Sequence, residues 1–252
     1  MEQRERGIFV AEGEKVVRRL LESQLTVISV LLPPKWLDQL QTIIEKRPER
    51  IQVYVADKAL LETLTGFSLY QGLLAIGTVP PQPKLEDVLA TATRPRLLVA
   101  LDGLSSAENV GSVVRNCAAF NVQGLITGET STSPFLRRAV RISMGTVFDL
   151  PVIETADLLT TILKLKAQGI RCIAAHPHIT GRTIDAVNLA TDCCIIFGSE
   201  GYGLAPGILA ACDEAAAIPM PHGVDSLNVS SAAAVFLYEA ARQRAREASG
   251  AP

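Results

Sequence analysis

Two short segments in the second half of the chain are almost entirely apolar, and they constrain the fold more than any other feature. They span residues 170–175 and 193–197. Strands that are apolar on both faces are typical of parallel sheets that helices cover on both sides. Further strands are predicted at residues 97–102 and 122–127, with a helix over residues 109–120 between them. This alternation predicts an α/β domain with a parallel sheet.

The first 79 residues alternate between helix and strand on a smaller scale. Apolar residues at helical spacing predict a helix over residues 14–23 and a second one from Trp36 onward. A third helix is predicted from Asp57 to near Gly66. The predicted strands of this part are residues 25–32, 51–56 and 73–79. The pattern indicates a small α/β domain of its own.

A proline-rich stretch separates the two α/β parts. Four prolines fall within residues 80–95, around a short predicted helix, which indicates a stiff linker. We therefore predict a small domain at residues 1–79, a linker at 80–95 and a larger domain at 96–252. The larger domain also contains a predicted basic helix over residues 133–143.

Composition narrows the class of protein. The 252 residues are 48% hydrophobic and 20% charged, which is typical of a globular protein with a substantial core. A run of 18 apolar residues is absent and the N-terminus lacks an apolar signal segment, so we expect a cytoplasmic protein without a membrane span. The net charge of −2 argues against a general nucleic-acid binder but allows a local basic patch.

The five cysteines indicate core thiols and not a metal centre. They form neither a disulfide-like pattern nor a CxxC pair. Cys193 and Cys194 lie in an apolar strand, and a metal role for them with Cys172 or Cys212 is disfavoured.

Three stretches carry polar residues where chemistry is expected. In the first, the strand at 97–102 lacks the GxGxxG of a dinucleotide-binding turn. Asn109 and Arg115 lie near the start of the following helix instead, where both could point into a polar pocket. The alternative is that Asn109 caps the helix and Arg115 is solvated.

The second stretch follows the strand at 193–197, where Glu200 stands between Gly198 and Gly201. Glycines at the carboxyl end of a parallel strand let the backbone approach a ligand, although an ordinary tight turn has the same composition. The third stretch leads into the C-terminal helix, which Ser226 or Asn228 can cap. A helix N-terminus suits an anionic ligand, but a capped helix packed on a core explains the same residues.

Together the three stretches resemble the SpoU (TrmH) family of RNA ribose 2′-O-methyltransferases. The family motifs match Asn109 with Arg115, then the Gly-x-Glu-Gly turn from Gly198 to Gly201, then Ser-Leu-Asn-Val-Ser from Ser226 to Ser230. Residues 141–151 also resemble the family. Residues 8–21 and 70–77 resemble the substrate-recognition domain of many members.

The resemblance implies a fold and a reaction. Similar proteins have a parallel sheet whose C-terminal segment forms a deep trefoil knot, which general topology rules would not predict. They bind S-adenosylmethionine in the knot, form homodimers, and methylate the ribose 2′-hydroxyl of ribosomal or transfer RNA without a metal. The consecutive apolar residues Val235, Phe236 and Leu237 would cover more than one face of the last helix and so fit a dimer interface.

The resemblance also implies roles for individual residues. The catalytic set would be Asn109, Arg115, Glu200, Ser226 and Asn228. The cofactor-binding set would be Gly198, Glu200, Gly201, Ile218, Met220 and Leu227. Arg115 would act either as a base or, because arginine stays protonated, as a clamp on phosphate and the developing alkoxide. Arg242 and Arg244 would bind RNA phosphate or form a solvated helix end.

Other classes of protein fit less well. An RNA-binding or ribosome-assembly protein of the same fold, without methyl transfer, is the main alternative, and the intact motif residues disfavour it. The missing GxGxxG disfavours a Rossmann oxidoreductase. His176 and His178 lack partners at metal-ligand spacing. His222, Asp225 and Ser226 have the residue types of a hydrolase triad, but no GxSxG elbow is present.

Overall fold

The computed structural model describes residues 6–57, 59–60, 63, 72–178, 182–221 and 223–249. Contacts divide the chain into two compact units. The first comprises Met1–Pro81 with Pro134–Asp149, and the second comprises Gln82–Ser133 with Leu150–Pro252.

The elements follow one another in the expected α/β alternation. The strands are β1 (Ile8–Glu12), β2 (Val27–Leu32), β3 (Gln52–Val55), β4 (Leu74–Thr78), β5 (Leu97–Asp102), β6 (Gly124–Thr127), β7 (Val152–Glu154), β8 (Arg171–Ala175), β9 (Cys193–Gly198) and β10 (Glu214–Ala216). The helices are α1 (Glu14–Glu22), α2 (Pro34–Glu45), α3 (Leu85–Thr91), α4 (Ala107–Ala119), α5 (Arg137–Ile142), α6 (Leu158–Ala167), α7 (Pro206–Ala211) and α8 (Val229–Ser249). None of these helices has the length and apolar character needed to cross a membrane.

The second unit is built on a six-stranded sheet in the order β10-β8-β9-β5-β6-β7, and every pairing in it is parallel. The two central strands, β5 and β9, are buried along nearly their whole length, as their apolar composition predicts. Because β5 pairs with β9 from Leu97↔Cys193 to Asp102↔Gly198, their carboxyl ends meet at one edge of the sheet. The α/β parallel-sheet prediction is confirmed, and the trefoil knot stays a prediction.

The last helix, α8, packs on this sheet through one face. Phe236 and Leu237 are fully buried, and the Phe236 ring meets that of Phe197 on β9 edge to face at 5.7 Å. Val235 and Tyr238 point outward. Of the three apolar residues proposed for a dimer interface, two therefore belong to the core of their own chain. The outward pair is Val235 and Tyr238.

The first unit has a four-stranded mixed sheet in the order β1-β4-β2-β3. The segment Pro134–Asp149 packs within this unit, where Phe9 of β1 meets Phe135 at 5.5 Å and Phe148 at 5.3 Å between ring centroids. Its helix α5 covers six residues and begins at Arg137, so it is shorter than the predicted helix over residues 133–143. Most of the helix predicted after Asp57 lies outside the described residues.

Candidate active site

A cavity of about 540 Å³ opens at the carboxyl edge of the six-stranded sheet, within the second unit. This volume lies in the range of ~300–1,000 Å³ that is common for small-molecule and cofactor sites. The ends of β8 and β9, the loop before α8 and the first turns of α8 form its walls. Its lining includes Gly198, Glu200, Gly201, Ile218, Met220, Ser226, Leu227 and Asn228. The structure thus brings the whole predicted cofactor-binding set to one cavity.

The glycine turn after β9 is folded by its own backbone. Ser199 and Gly203 exchange two backbone hydrogen bonds of 2.9 Å, which places Glu200 and Gly201 at the tip of the turn. A Cβ on Gly198 would lie 2.2 Å from the carbonyl carbon of Gly203. Gly198 is therefore required by the tight turn itself, which was the second of the two interpretations of this stretch. Gly201 faces open space.

Three side chains meet at the rim of the cavity. The Asn109 carboxamide donates a short hydrogen bond to Glu200 Oε1. Asn228 Nδ2 donates to the same oxygen and to Asn109 Oδ1, at 3.2 Å each. We call Asn109, Glu200 and Asn228 the amide–carboxylate cluster. It joins residues that are 91 and 28 positions apart in the sequence.

The orientation of the Asn228 amide is fixed by the start of α8. Its Oδ1 accepts hydrogen bonds from the Ser230 backbone N–H at 2.9 Å and from Ser230 Oγ at 2.6 Å. Because the oxygen accepts from the helix, Nδ2 must face Glu200 and Asn109. Asn228 is therefore the residue that caps α8, and Ser226 lies in the exposed loop before it.

The start of α4 is organised differently from our prediction. The helix begins two residues earlier, and Ser106 caps it by accepting a hydrogen bond from the Asn109 backbone N–H at 3.4 Å. Asn109 is therefore not the cap, and its carboxamide is available to Glu200. One further side chain on this helix was missed. Asn116, seven residues after Asn109 and so on the same helix face, donates to the Ser230 carbonyl at 2.7 Å.

Arg115 does not join the amide–carboxylate cluster. It is exposed, and six residues of α-helix place it about a third of a turn away from Asn109. Among the described residues it has no hydrogen bond or ion pair. The expectation that Asn109 and Arg115 point into one pocket is therefore not met within a single chain.

Arg242 and Arg244 bind groups of their own chain. Arg242 forms a two-pronged ion pair with Glu239, at 2.6 and 2.7 Å, which lowers the pKa of that carboxyl group below its usual value. Arg244 donates to four backbone carbonyls, of Leu189, Pro95, Arg96 and Thr191, at 2.5 to 3.1 Å. Both guanidinium groups therefore bind groups of their own fold, and their role at RNA phosphate stays a prediction.

The histidines line the cavity but do not form a metal site. His176 and His178 lie on the loop after β8, and His178 Nε2 is 3.6 Å from Asp225 Oδ1. In the part of the chain that the structure describes, no group of three potential metal ligands comes together. His222, one of the three hydrolase-type residues, lies outside the described residues.

The buried cysteines are core thiols, as predicted. Cys193 and Cys194 are fully buried in β9, and burial raises the pKa of both. Burial likewise raises the pKa of Cys172 to about 12 and that of Cys212 to about 11. Burial thus favours the neutral thiol at all four positions.

A parallel α/β sheet with a cofactor-sized cavity at its carboxyl edge, closed by a glycine turn and the start of the last helix, defines a class of small-ligand-binding α/β protein. Comparison with known proteins narrows this class. Residues 96–238 match the sequence model of the SpoU rRNA Methylase family, and the chain belongs to this family.

Relatives match over most of the chain. A tRNA/rRNA methyltransferase of Mycobacterium bovis, itself uncharacterized, is 33% identical over 240 residues, which are 94% of this chain and 82% of the relative. One of Mycobacterium leprae is 32% identical over 242 residues, covering 94% of this chain and 71% of the relative.

Solved structures share the fold. An AdoMet-bound rRNA methyltransferase of Sinorhizobium meliloti has a TM-score of 0.81 and 25% identity, covering 95% of this chain and 89% of that one. A structure described as an RNA 2′-O ribose methyltransferase has a TM-score of 0.77 and 26% identity, covering 96% and 91%. The SpoU methyltransferase AviRb of Streptomyces viridochromogenes, with a TM-score of 0.83 at 24% identity over 99% and 93%, adds another likeness of fold.

Proposed function

We propose that this protein transfers a methyl group from S-adenosylmethionine to a ribose 2′-hydroxyl of ribosomal or transfer RNA. The observation that carries the proposal is the amide–carboxylate cluster at the rim of a cofactor-sized cavity. Membership of the SpoU family and the AdoMet-bound relative support the cofactor. The relative described as a 2′-O ribose methyltransferase supports the position of methylation.

The cavity fits S-adenosylmethionine by the chemistry of its walls. Its floor is apolar, with Phe236, Phe197 and Ala216 among the lining residues, which suits an adenine ring. Within the described residues, the backbone N–H groups of Ile218 and Leu227 have no hydrogen-bond partner, so they are available to the polar edges of a ligand. These residues would hold the cofactor mainly through their backbone.

In this methyl transfer the main task of the protein is to position the reacting groups. The bound cofactor supplies a methyl group on a sulfonium, which is already a good leaving group. The chain must place the ribose hydroxyl in line with the sulfonium methyl group and stabilise the developing alkoxide, while the hydroxyl proton is released to water. In the cluster, two amides hold Glu200 through its Oε1, and no described residue binds its Oε2. We infer that this carboxylate accepts a hydrogen bond from the ribose and so fixes its orientation.

Arg115 does not point toward the cavity of its own chain, so we infer that it acts at the cavity of a second chain. It is exposed on α4, and α4 is linked to the outward residues of α8 through an edge-to-face contact of Phe120 with Tyr238, at 6.4 Å between ring centroids. We infer that the protein is a homodimer that uses the outward faces of α4 and α8, and that Arg115 binds the RNA phosphate and the alkoxide at a shared site. The first domain, residues 1–79, would select the RNA.

Product analysis tests the proposed reaction. The protein is incubated with RNA from cells that lack the gene and with S-adenosylmethionine carrying a tritiated methyl group, and the RNA is digested to nucleosides. We expect the label in a 2′-O-methylnucleoside. Label in a methylated base would contradict the ribose as acceptor. Cofactor binding in calorimetry without label in any RNA would favour the alternative, an RNA-binding or assembly protein of the same fold.

Sedimentation tests the dimer. We expect the wild-type protein to sediment at about twice the chain mass, and Tyr238→Glu to shift it toward the monomer. Leu163→Glu is the matched control, because Leu163 is a comparably exposed apolar residue on α6. A monomeric wild type, or an equal shift in both variants, would contradict the interface.

A further inference from the structure

The first unit contains a buried carboxylate that is paired with two arginines. Glu12 lies at the end of β1, and its side chain is only 2% exposed. Arg137 of α5 donates to its Oε2 through Nε and Nη2, at 3.1 and 2.8 Å. Arg141, one helical turn later, is 3.3 Å from its Oε1. One buried charge thus attracts two guanidinium groups, of which Arg137 hydrogen-bonds it and Arg141 lies at ion-pair distance.

Both of these arginines remain accessible from outside. The side chain of Arg137 is 32% exposed and that of Arg141 is 53% exposed. Guanidinium has five N–H donors, which is more than an ion pair with one carboxylate uses. Arg137, which two hydrogen bonds hold in place, loses less side-chain entropy on binding a phosphate than an unrestrained arginine does.

Helix α1 extends the same basic region. Arg19 donates to the Met144 carbonyl at 3.1 Å, and its Cδ lies against the site of Gly145, so it is fixed beside the turn that follows α5. Lys15 is one turn earlier on the same face of α1 and is exposed. We call this region the α1–α5 basic surface and define it by Lys15, Arg18, Arg19, Arg137, Arg138 and Arg141.

The charge of this surface contrasts with that of the whole chain. Residues 12–22 and 137–142 contain six basic and three acidic side chains, a local balance of +3, whereas the chain as a whole carries −2. One of the three acids, Glu12, is buried, and another, Glu14, pairs with Arg18 at 2.7 Å. A globally acidic protein that binds a polyanion needs such a local concentration of positive charge.

We propose that the α1–α5 basic surface binds the phosphate backbone of the RNA substrate. Arginine fits this partner because its planar group donates two parallel hydrogen bonds to a phosphate. The inference deepens the proposed function and rests on it. It assigns RNA binding to residues 137–141, which lie in sequence within the methyltransferase part of the chain, in addition to the expected residues 1–79.

The test compares two double variants of the full-length protein. Arg138→Gln/Arg141→Gln removes two exposed charges and leaves Arg137 to pair with Glu12. Lys46→Gln/Arg50→Gln removes two exposed charges between α2 and β3, in the same unit but outside the surface. Affinity for bulk ribosomal RNA is measured by filter binding over a range of salt concentrations. Thermal unfolding and calorimetry with S-adenosylmethionine verify that each variant is folded.

We expect the first double variant to bind RNA at least about tenfold more weakly, because charge-assisted hydrogen bonds are lost. Its slope of log affinity against log salt should fall in magnitude by about 1.4 to 1.8, since each phosphate contact contributes roughly 0.7 to 0.9. Arg138→Lys/Arg141→Lys should keep most of the salt slope, because it keeps the charges.

Three outcomes would overturn the inference. If the salt slope and the RNA affinity of the first double variant are unchanged, the α1–α5 basic surface does not bind RNA, while the proposed RNA methylation still stands. An equal loss in the Lys46/Arg50 control would show a general charge effect. A wild-type protein that binds no RNA at all would remove both the surface and the proposed function.

Discussion

The two helices that begin at the candidate active site divide their tasks differently. At the start of α4, Ser106 caps the helix and Asn109 binds Glu200, so stability and chemistry lie on separate side chains. At the start of α8, Asn228 does both, because its oxygen caps the helix and its nitrogen binds Glu200. Asn228 can therefore matter both for the stability of α8 and for the position of Glu200. Substitutions can separate these two contributions.

The largest effect on stability and cofactor binding is expected from a substitution that displaces the turn carrying Glu200, because Glu200 then loses its contacts with the starts of both α4 and α8. In Gly198→Ala the new Cβ would lie about 2 Å from the backbone of Gly203 and Leu204, which cannot move aside as a flexible side chain would. Overpacking of this kind typically costs ~1–3 kcal/mol. We expect a lower unfolding temperature and loss of cofactor binding in calorimetry. Gly207→Ala on α7 is the control, because a Cβ there would meet open space, and equal damage there would show that the Gly198 contact is not the cause.

The next effect is expected from Asn228→Ala, which removes the cap and the contact with Glu200. Loss of a cap costs about 1 kcal/mol of stability. Loss of a hydrogen bond to a charged group, worth ~1.5–3 kcal/mol, should slow methyl transfer ten- to a hundredfold. Asn228→Ser keeps a capping oxygen without the amide, so it should recover stability and not activity. Recovery of both would mean that Asn228 acts only as a cap.

A smaller effect, on activity alone, is expected from Asn109→Ala. Ser106 still caps α4, and alanine favours a helix more than asparagine does, so the free energy of unfolding should stay equal or rise slightly. Methyl transfer should fall about tenfold, because Glu200 loses one of its two amide donors. Urea unfolding and initial rates measure the two quantities. A marked loss of stability would break the proposed separation of tasks at α4.

The smallest effect is expected from Ser106→Ala. The capping hydrogen bond is long, at 3.4 Å, so the loss of stability should be about 0.5 kcal/mol, at the low end for a helix cap. Turnover should remain that of the wild type, since the Ser106 side chain contacts the backbone N–H of Asn109 and not the carboxamide that binds Glu200. A decrease in turnover as large as that of Asn109→Ala would show that the position of the whole helix start, and not the Asn109 amide, matters.

The sequence predicted the elements of the cavity because they depend on local patterns. The strand at Leu97–Asp102 has the predicted bounds, since its apolar residues are buried on both faces. The glycine turn and the loop before α8 follow strands of one parallel sheet, so they meet at its carboxyl edge. Three elements were missed, namely β1, β7 and α7. β7 has three residues and α7 has six, too few for periodicity to show.

The sequence could not predict which polar side chains pair with each other. Ser106 and Asn109 are both capping residues, and only the observed start of α4 decides between them. Arg244 is of a residue type that often binds phosphate, but it binds backbone carbonyls that are up to 149 positions away in the sequence. The packing of Pro134–Asp149 within the first unit likewise depends on long-range contacts, those of the Phe9 ring and of Glu12.

The most direct test of the account is Glu200→Gln, which keeps the size of the residue shared by both helix starts and removes its charge. Single-turnover methyl transfer to RNA and calorimetry with S-adenosylmethionine are measured on the same preparation. We predict that methyl transfer falls at least about tenfold, because a neutral amide is a weaker acceptor for the ribose hydroxyl. We predict cofactor affinity within a few-fold of the wild type, because backbone groups bind it. Wild-type methyl transfer in this variant would contradict the role of the amide–carboxylate cluster in the reaction.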